Sequence, residues 1–138
     1  MADLDLDLDP GLPPAWVFVD EIQHVFLNLV VNAAQAIASN AREGSARGRI
    51  RVSSRSHGDS VEIRVEDNGP GVPDAIRERV FDPFFTTKPA GQGTGQGLAI
   101  CHRVVEHHDG RITLEAGEDG GAVFVVRLPL ATPVAQAA

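Results

Sequence analysis

Two asparagines, Asn28 and Asn32, stand four residues apart in the otherwise apolar segment FLNLVVNA. Asparagine is a mediocre helix former, and burying its amide without a partner costs free energy. At ~100° per residue the polar side chains share one narrow stripe, centred on Asn28, Asn32 and Gln35. The rest of the circumference is apolar, which predicts a helix buried nearly all round. The stripe fits the wall of a ligand cavity and a solvated edge equally well.

A carboxylate followed by two glycines forms the second candidate site. Asp67 ends an alternating segment, and Gly69 and Gly71 follow within four residues in VEDNGPGVP. Glycine lets the backbone pass close to a flat ligand, because it has no Cβ. An ionised aspartate only accepts hydrogen bonds, which suits an exocyclic amino group such as that of adenine. The same residues also form a good tight turn, and taken alone the stretch favours that interpretation.

A third stretch, GQGTGQGLAI, places glycines at 91, 93, 95 and 97 directly before a helical segment. Free N–H groups and the positive end of the dipole at a helix N-terminus can bind an anion. The alternative is a flexible linker, which is the usual role of an isolated glycine-rich run. Lys88 is the only lysine of the chain and stands just ahead of this run, where a cation would suit phosphates.

The surrounding pattern predicts the elements that hold these residues. Periodicity indicates helices at about 21–40, 74–80 and 97–108, and hairpin strands at 49–57, 60–67, 111–116 and 122–130. Asp20 is predicted to cap the first helix. The segment from 81 to 97 has no periodicity and is expected to be a long mobile loop. This order predicts an α+β two-layer sandwich, a mixed but mostly antiparallel sheet with about three helices on one face.

Composition bounds the domain organisation and the classes of function. The 138 residues, 43% of them hydrophobic, suit one compact domain, predicted at 20–130 with a flexible tail at 131–138. Residues 1–19 form a lead-in, whose alternating DLDLDLD fits either an edge strand or a solvated segment. The net charge of -7, without a basic run, argues against nucleic acid as the partner.

Cysteine content and hydropathy bear on the compartment. A single cysteine, Cys101, excludes an internal disulfide framework and fits a reducing, cytoplasmic setting. No apolar stretch approaches the ~20 residues needed to cross a bilayer, and no signal peptide is recognisable. No cysteine, histidine and carboxylate spacing is typical of a zinc site.

Together with VFDPFFTTK, and in this order, the three stretches resemble the catalytic ATP-binding domain of bacterial sensor histidine kinases of two-component systems. The wider superfamily includes gyrase, mismatch-repair ATPases and heat-shock chaperones. The asparagine helix is similar to the family's N box and VEDNGPGVP to its first glycine box. VFDPFFTTK is similar to its F box, and GQGTGQGLAI to its second glycine box. Each motif alone is weak, but four in order are specific.

The resemblance implies the Bergerat fold and a site for ATP with Mg²⁺. Asn32 matches the family's magnesium-binding asparagine, and Asn28 matches a polar position on the nucleotide side. Asp67 matches the carboxylate that receives the adenine amino group. Gly69 and Gly71 match the glycines that give the base its room.

The resemblance also implies a lid over the phosphates. Its F-box anchors are Phe81, Phe84 and Phe85. The phosphate-side residues are Gly93, Thr94, Gly95, Gln96, Gly97 and Leu98. Many family members carry a basic residue where this chain has Gln35, so Lys88 becomes the better candidate for a phosphate contact. Gln96 stands where leucine is commoner.

The implied reaction is transfer of the γ-phosphoryl group of ATP to a histidine on a separate dimerisation and phosphoacceptor domain. Asn28, Asn32 and Lys88 are the predicted catalytic residues. A response regulator would act downstream, and the parent kinase can be membrane-anchored although this domain makes no membrane contact. No acceptor hairpin precedes the asparagine helix, so the chain is expected to be a monomeric fragment that does not label itself.

Three alternatives stay open at this point. The chain could be a free-standing ATP-hydrolysing relative, an anti-sigma serine kinase of similar fold, or a non-catalytic nucleotide-binding module.

Overall fold

The computed structural model describes residues 2–7, 19–39, 48–57, 59–82, 97–117 and 120–129. Within these ranges the chain forms five strands and three helices, in the order strand, helix, hairpin, two helices, hairpin. They are β1 (Ala2–Asp7), α1 (Val19–Ser39), β2 (Gly48–His57), β3 (Ser60–Asp67), α2 (Asp74–Arg77), α3 (Gly97–His107), β4 (Arg111–Ala116) and β5 (Ala122–Pro129).

The strands of the described residues form one sheet in the order β1-β2-β3-β5-β4. Strand β1 runs parallel to β2, and the three other neighbouring pairs are antiparallel. The prediction of a mixed, mostly antiparallel sheet with helices is confirmed. Of the two interpretations of the acidic lead-in, the structure supports the edge strand, since Ala2 to Asp7 pair in register with Gly48 to Ser53.

The core lies between the sheet and the two long helices. Strand residues alternate between faces, and Val65, Phe124 and Val126 lie in one buried apolar cluster with residues of both helices. Helix α1 contributes Val25, Leu29 and Ala33 to this cluster, and α3 contributes Cys101 and Val105. Both helices therefore pack on the same face of the sheet and also against each other.

Helix α1 is not buried nearly all round, which corrects the prediction made from its apolar composition. Leu29 is 0% exposed, but Leu27 is 60% and Val31 is 43% exposed. Composition shows what a helix is able to bury, whereas the number of neighbouring elements decides what it does bury. Here the sheet and α3 occupy only part of the circumference.

Two helix boundaries also differ from the prediction. Helix α1 begins at Val19, so Asp20 lies in its first turn and is not the N-cap. Helix α2 ends at Arg77 and not near 80, because the chain continues in tight turns. Arg79 and Asp82 donate their backbone N–H groups to carbonyls three residues earlier, at 2.9 Å each.

The outer face of the sheet is charged. Glu62 is only 2% exposed there, and it is paired with Arg55 at 2.7 Å and Arg127 at 3.4 Å. Burial would raise the pKa of Glu62, but the hydrogen bonds and charges of the two arginines outweigh it and hold that pKa below its usual value. The Glu62 carboxylate therefore stays ionised although it is buried on the outer face of the sheet.

A cleft of about 260 Å³ also opens by this outer face, lined by Arg49, Arg51, Arg64, Glu66, Asp67, Asn68, Ala116, Gly117 and Val123. Arg64 already pairs with Glu66 and Glu115, at 3.5 and 3.4 Å. Arg51 on β2 pairs with Glu66 on β3, and the next pair along the two strands is Val52 with Val65. Successive residues of a strand lie on opposite faces, and the two valines pack on the core face, against which α1 also packs. The charged cleft is thus separate from the asparagine helix.

Candidate functional site

Asp67 ends β3 and is 7% exposed. Its Oδ1 atom accepts hydrogen bonds from the backbone N–H of Gly69 at 2.9 Å and of Ala122 at 3.4 Å. Within the described residues Oδ2 accepts no hydrogen bond. One carboxylate oxygen is thus held by the protein, and the other is available to a ligand donor.

The environment of Asp67 changes its acidity. Burial raises the pKa of the Asp67 carboxyl above its usual value, and the N–H groups of Gly69 and Ala122 act in the opposite direction. A ligand that donates a hydrogen bond to the carboxylate would replace part of the lost hydration. The buried acceptor therefore favours a ligand with an amino group over one with an oxygen at the same position.

Close packing explains the glycines of the Asp67 turn. A Cβ at Gly69 would lie 3.3 Å from the Cβ and carbonyl carbon of Ala36, which is on α1. Ala36 lies one helical turn beyond Asn32, so the structure brings the Asp67 turn and the asparagine stripe together. Gly71 has φ of 79°, and a Cβ there would clash with the carbonyl oxygen of Gly120 in the β4–β5 hairpin. Both glycines permit close backbone approach; their predicted contact with a base stays a prediction.

The asparagine stripe lies on the border between the packed and exposed sides of α1. Asn28 and Asn32 are both half-buried. The thiol of Cys101 on α3 donates a hydrogen bond to the carbonyl oxygen of Val25 on α1, with Sγ 3.7 Å from that oxygen. Burial raises the pKa of the thiol to about 11, and the side chain of Asn28 opposes the rise. Cys101 thus links the two helices through the backbone of α1, a contact that the spacing of the asparagines did not reveal.

The start of α3 and the F box are described in part. Gly97 is the first residue of α3, and a Cβ there would meet no atom within 4 Å. Leu98 is half-buried and packs against the core. Phe81 also packs there, with its ring centroid 5.4 Å from His102 and 6.1 Å from Phe124. The remaining predicted site residues lie outside the described residues, namely Phe84, Phe85, Lys88, Gly93, Thr94, Gly95 and Gln96, together with most of the predicted lid.

The described residues suit Mg²⁺ only if a bound ligand supplies further oxygen donors to the metal. They contain no group of three or more histidine, cysteine, aspartate or glutamate side chains able to hold a metal ion. Mg²⁺ prefers oxygen and is commonly held by one or two protein side chains together with substrate phosphates and water. The amide oxygen of half-buried Asn32 is a suitable single donor for that arrangement.

Ala122 makes a contact within the candidate site that sequence reasoning missed. It acts through its backbone N–H, and a backbone donor leaves no signal in residue type. Gly120 and Gly121 directly precede it, and they indicated a hairpin turn without showing what the turn touches.

No helix in the described ranges is both long enough and apolar enough to cross a membrane.

Comparison with known proteins places the chain in a family. The family described as histidine kinase-, DNA gyrase B-, and HSP90-like ATPase matches residues 19–132. The two-component sensor PprA of Pseudomonas aeruginosa is 45% identical over 115 residues, which are 83% of this chain and 12% of PprA. This chain therefore spans only a small part of that relative's length.

Solved structures show the same likeness. The nucleotide-free catalytic domain of histidine kinase ThkA superposes with a TM-score of 0.79 at 31% identity, covering 95% of this chain and 82% of that one. ThkA in complex with the response regulator TrrA matches with a TM-score of 0.73 at 30% identity, covering 94% and 34%.

The fold and the site thus define an ATP-binding domain of the histidine kinase, gyrase and heat-shock chaperone class. Within that class, this chain belongs to the catalytic domains of two-component sensor histidine kinases.

Proposed function

We propose that this domain binds ATP with Mg²⁺ and transfers the γ-phosphoryl group to a histidine on the dimerisation and phosphoacceptor domain of its parent kinase. The observation that carries the proposal is the arrangement at Asp67. A buried carboxylate presents Oδ2 while backbone N–H groups hold Oδ1. An acceptor of this kind matches the exocyclic amino group of adenine.

Asn32 extends the site along α1 from the base toward the phosphates. Its amide oxygen would hold Mg²⁺, which supplies neutralisation of phosphate charge when it is bound. Lys88 and the residues from Gly93 to Leu98 are proposed on the phosphate side, by likeness to the family. Catalysis by this domain then consists of positioning and charge stabilisation, and the nucleophile comes from the partner domain.

Asn28 supports transfer to a partner over hydrolysis. A neutral amide cannot take a proton from water, so it does not serve as a general base. Without a general base, which is worth about 10²–10⁴-fold, release of phosphate to water is expected to be slow.

The proposed partners follow from the relatives. The named complex of ThkA with TrrA is that of a histidine kinase with a response regulator, and we propose a response regulator downstream of this chain. We propose residues 20–130 as the catalytic unit, monomeric by itself and on the cytoplasmic side, with β1 extending its sheet.

The test is phosphoryl transfer in trans. The domain is incubated with Mg²⁺ and ATP labelled at the γ-phosphate, alone and with the helical hairpin of the parent kinase that carries the acceptor histidine. We expect acid-labile label on the hairpin, no label on the domain alone, and none on a hairpin whose acceptor histidine is replaced by glutamine.

Two outcomes would overturn the proposal. Stable labelling of this chain without the hairpin would place the acceptor within it. Steady-state phosphate release at or above about 1 s⁻¹ without the hairpin, which is in the range of working enzymes, would indicate an ATPase.

A further inference from the structure

The tip of the β4–β5 hairpin packs directly on the backbone of Asp67. We propose that Gly121 and Ala122 are positioning residues that aim the Asp67 carboxylate and thereby set the preference for a 6-amino over a 6-oxo purine. The inference rests on the proposed binding of ATP and adds a determinant of base selectivity outside the four sequence motifs.

A hydrogen bond from Ala122 restrains the Asp67 carboxylate. The backbone N–H of Ala122 lies 3.4 Å from Oδ1 of Asp67, and that of Gly69 lies 2.9 Å from the same atom. The two donors come from different parts of the chain, one from the turn after β3 and one from the start of β5. Together they restrain rotation of the carboxylate, so that Oδ2 points away from both donors.

Gly121 packs against the backbone of Asp67 and Asn68 with no room for a side chain. A Cβ at Gly121 would clash with the carbonyl oxygen of Asp67, and it would also lie 2.7 Å from the carbonyl carbon of Asp67 and 3.0 Å from Cα of Asn68. These neighbours are backbone atoms, which cannot rotate away as a flexible side chain can. Any side chain at 121 must therefore push the hairpin tip and the Asp67 turn apart.

Backbone hydrogen bonds give the end of the hairpin around Gly120 and Gly121 a defined shape. Gly117 donates its N–H to the carbonyl oxygen of Gly121 at 2.8 Å, and Gly120 donates to that of Gly117 at 3.1 Å. Gly120 has φ of 84°, a conformation that favours glycine. Gly71, in the Asp67 turn, lies so close to the carbonyl oxygen of Gly120 that a Cβ on Gly71 would clash with it. The two turns interlock through backbone alone.

The consequence for selectivity follows from hydrogen-bond chemistry. Adenine presents an amino donor at position 6, whereas hypoxanthine presents a carbonyl oxygen at the same position. A carboxylate oxygen accepts from the first and repels the second, but only where it is held in the plane and direction of the base. Releasing the carboxylate reduces the difference between the two bases.

The experiment compares the Kd values of ATP and inosine triphosphate, which share every phosphate contact. We expect the wild-type chain to prefer ATP, and Gly121→Ala to lower the ratio of the two affinities about 3- to 10-fold, the scale of one hydrogen bond. The affinity for inosine triphosphate should change little.

Thr113→Gly is the matched control. Thr113 is exposed in the middle of β4 and pairs with Val125, away from Gly121 and Asp67. Glycine weakens a strand interior, so this variant should lower the unfolding midpoint while leaving the base preference unchanged. An equal loss of preference in Thr113→Gly would show that the stability of the hairpin, and not the direction of the Asp67 carboxylate, sets the preference.

A second variant keeps the test decisive if Gly121→Ala does not fold. Replacing the amide between Gly121 and Ala122 with an ester by semisynthesis removes the N–H that donates to Asp67 without adding a Cβ, although it also weakens the Gly121 carbonyl as an acceptor for Gly117. The ester should lower the ratio several-fold. The positioning role would be overturned if the ester and a folded Gly121→Ala variant kept the wild-type preference for ATP while Asp67→Asn lost it. That outcome would leave the proposed function standing. A wild-type chain that binds neither nucleotide would instead refute the proposed function.

Discussion

At the sheet end of the candidate site, Asp67 is 7% exposed and two backbone N–H groups from separate segments hold one of its oxygens. On α1, Asn28 and Asn32 are half-buried and stand beside the exposed Leu27 and Val31. The first end is thus built from packed backbone and the second from side chains on a helix rim.

This difference matches the two halves of the proposed ligand. A purine is flat and weakly hydrated, so it is recognised by a fixed shape and a directed acceptor. A triphosphate is highly charged and carries its own metal and water, so it suits donors that can adjust. The base end should therefore govern selectivity and the helix end the response to phosphates and Mg²⁺.

The largest effect is expected from Asp67→Asn. The amide can keep its oxygen toward Gly69 and Ala122, and it then turns an N–H₂ toward the adenine amino group. ATP, ADP and adenosine should all weaken by a similar factor of about 10 to 150, the scale of a hydrogen bond to a charged group. Calorimetry with the three ligands measures the factor.

Asp59→Asn is the control for Asp67→Asn, because Asp59 is exposed and precedes the opposite end of β3. It should bind all three ligands as the wild type does. Equal adenosine affinity in wild type and Asp67→Asn would contradict the base-end assignment.

A smaller and more selective effect is expected from Asn32→Ala. Loss of its amide oxygen should weaken ATP with Mg²⁺ about tenfold and leave adenosine unchanged, because only phosphates share the metal. Titrating Mg²⁺ at fixed ATP measures the change. Gln23→Ala removes an exposed amide from the same helix and should alter neither ligand. If Asn32→Ala weakened adenosine equally, the two ends would not be separable.

The smallest effect concerns pH. The folded pKa of Asp67 is raised by burial, so its contribution to stability is fully present below the unfolded pKa of about 4 and is lost as pH rises through the folded pKa. Asp67→Asn removes a buried charge, so the unliganded variant should be at least as stable as wild type at pH 7. Its advantage should vanish near pH 4.

Denaturant unfolding at both pH values measures this difference. A variant clearly less stable than wild type at pH 7 would mean that the ionised carboxylate stabilises the fold. Adenosine affinity of the wild type should fall over the same acidic window, since a protonated carboxyl no longer presents two acceptors.

Local pattern was sufficient for much of the fold. Strict alternation in 60–67 places Val61 and Val65 on one face, and the structure has that strand at Ser60–Asp67. The glycine pairs marked both turns of the site. Pattern was not sufficient for the ends of α1 and α2, because capping and tight turns depend on a few hydrogen bonds whose cost differs little between neighbouring residues.

The amino-acid sequence by itself determined the residue types of the candidate site and their order along the chain, because chemistry and spacing are local properties. The asparagine stripe, the carboxylate after a strand and the glycine turns could all be read from it. Only the tertiary structure decided that Leu29 is buried while Leu27 is exposed, since that depends on which elements lie beside α1. It also decided that the Cys101 thiol donates to the carbonyl oxygen of Val25 across 76 positions, and that Ala122 meets Asp67 across 55 positions. Backbone contacts between distant segments do not depend on residue type, so only the folded structure reveals them.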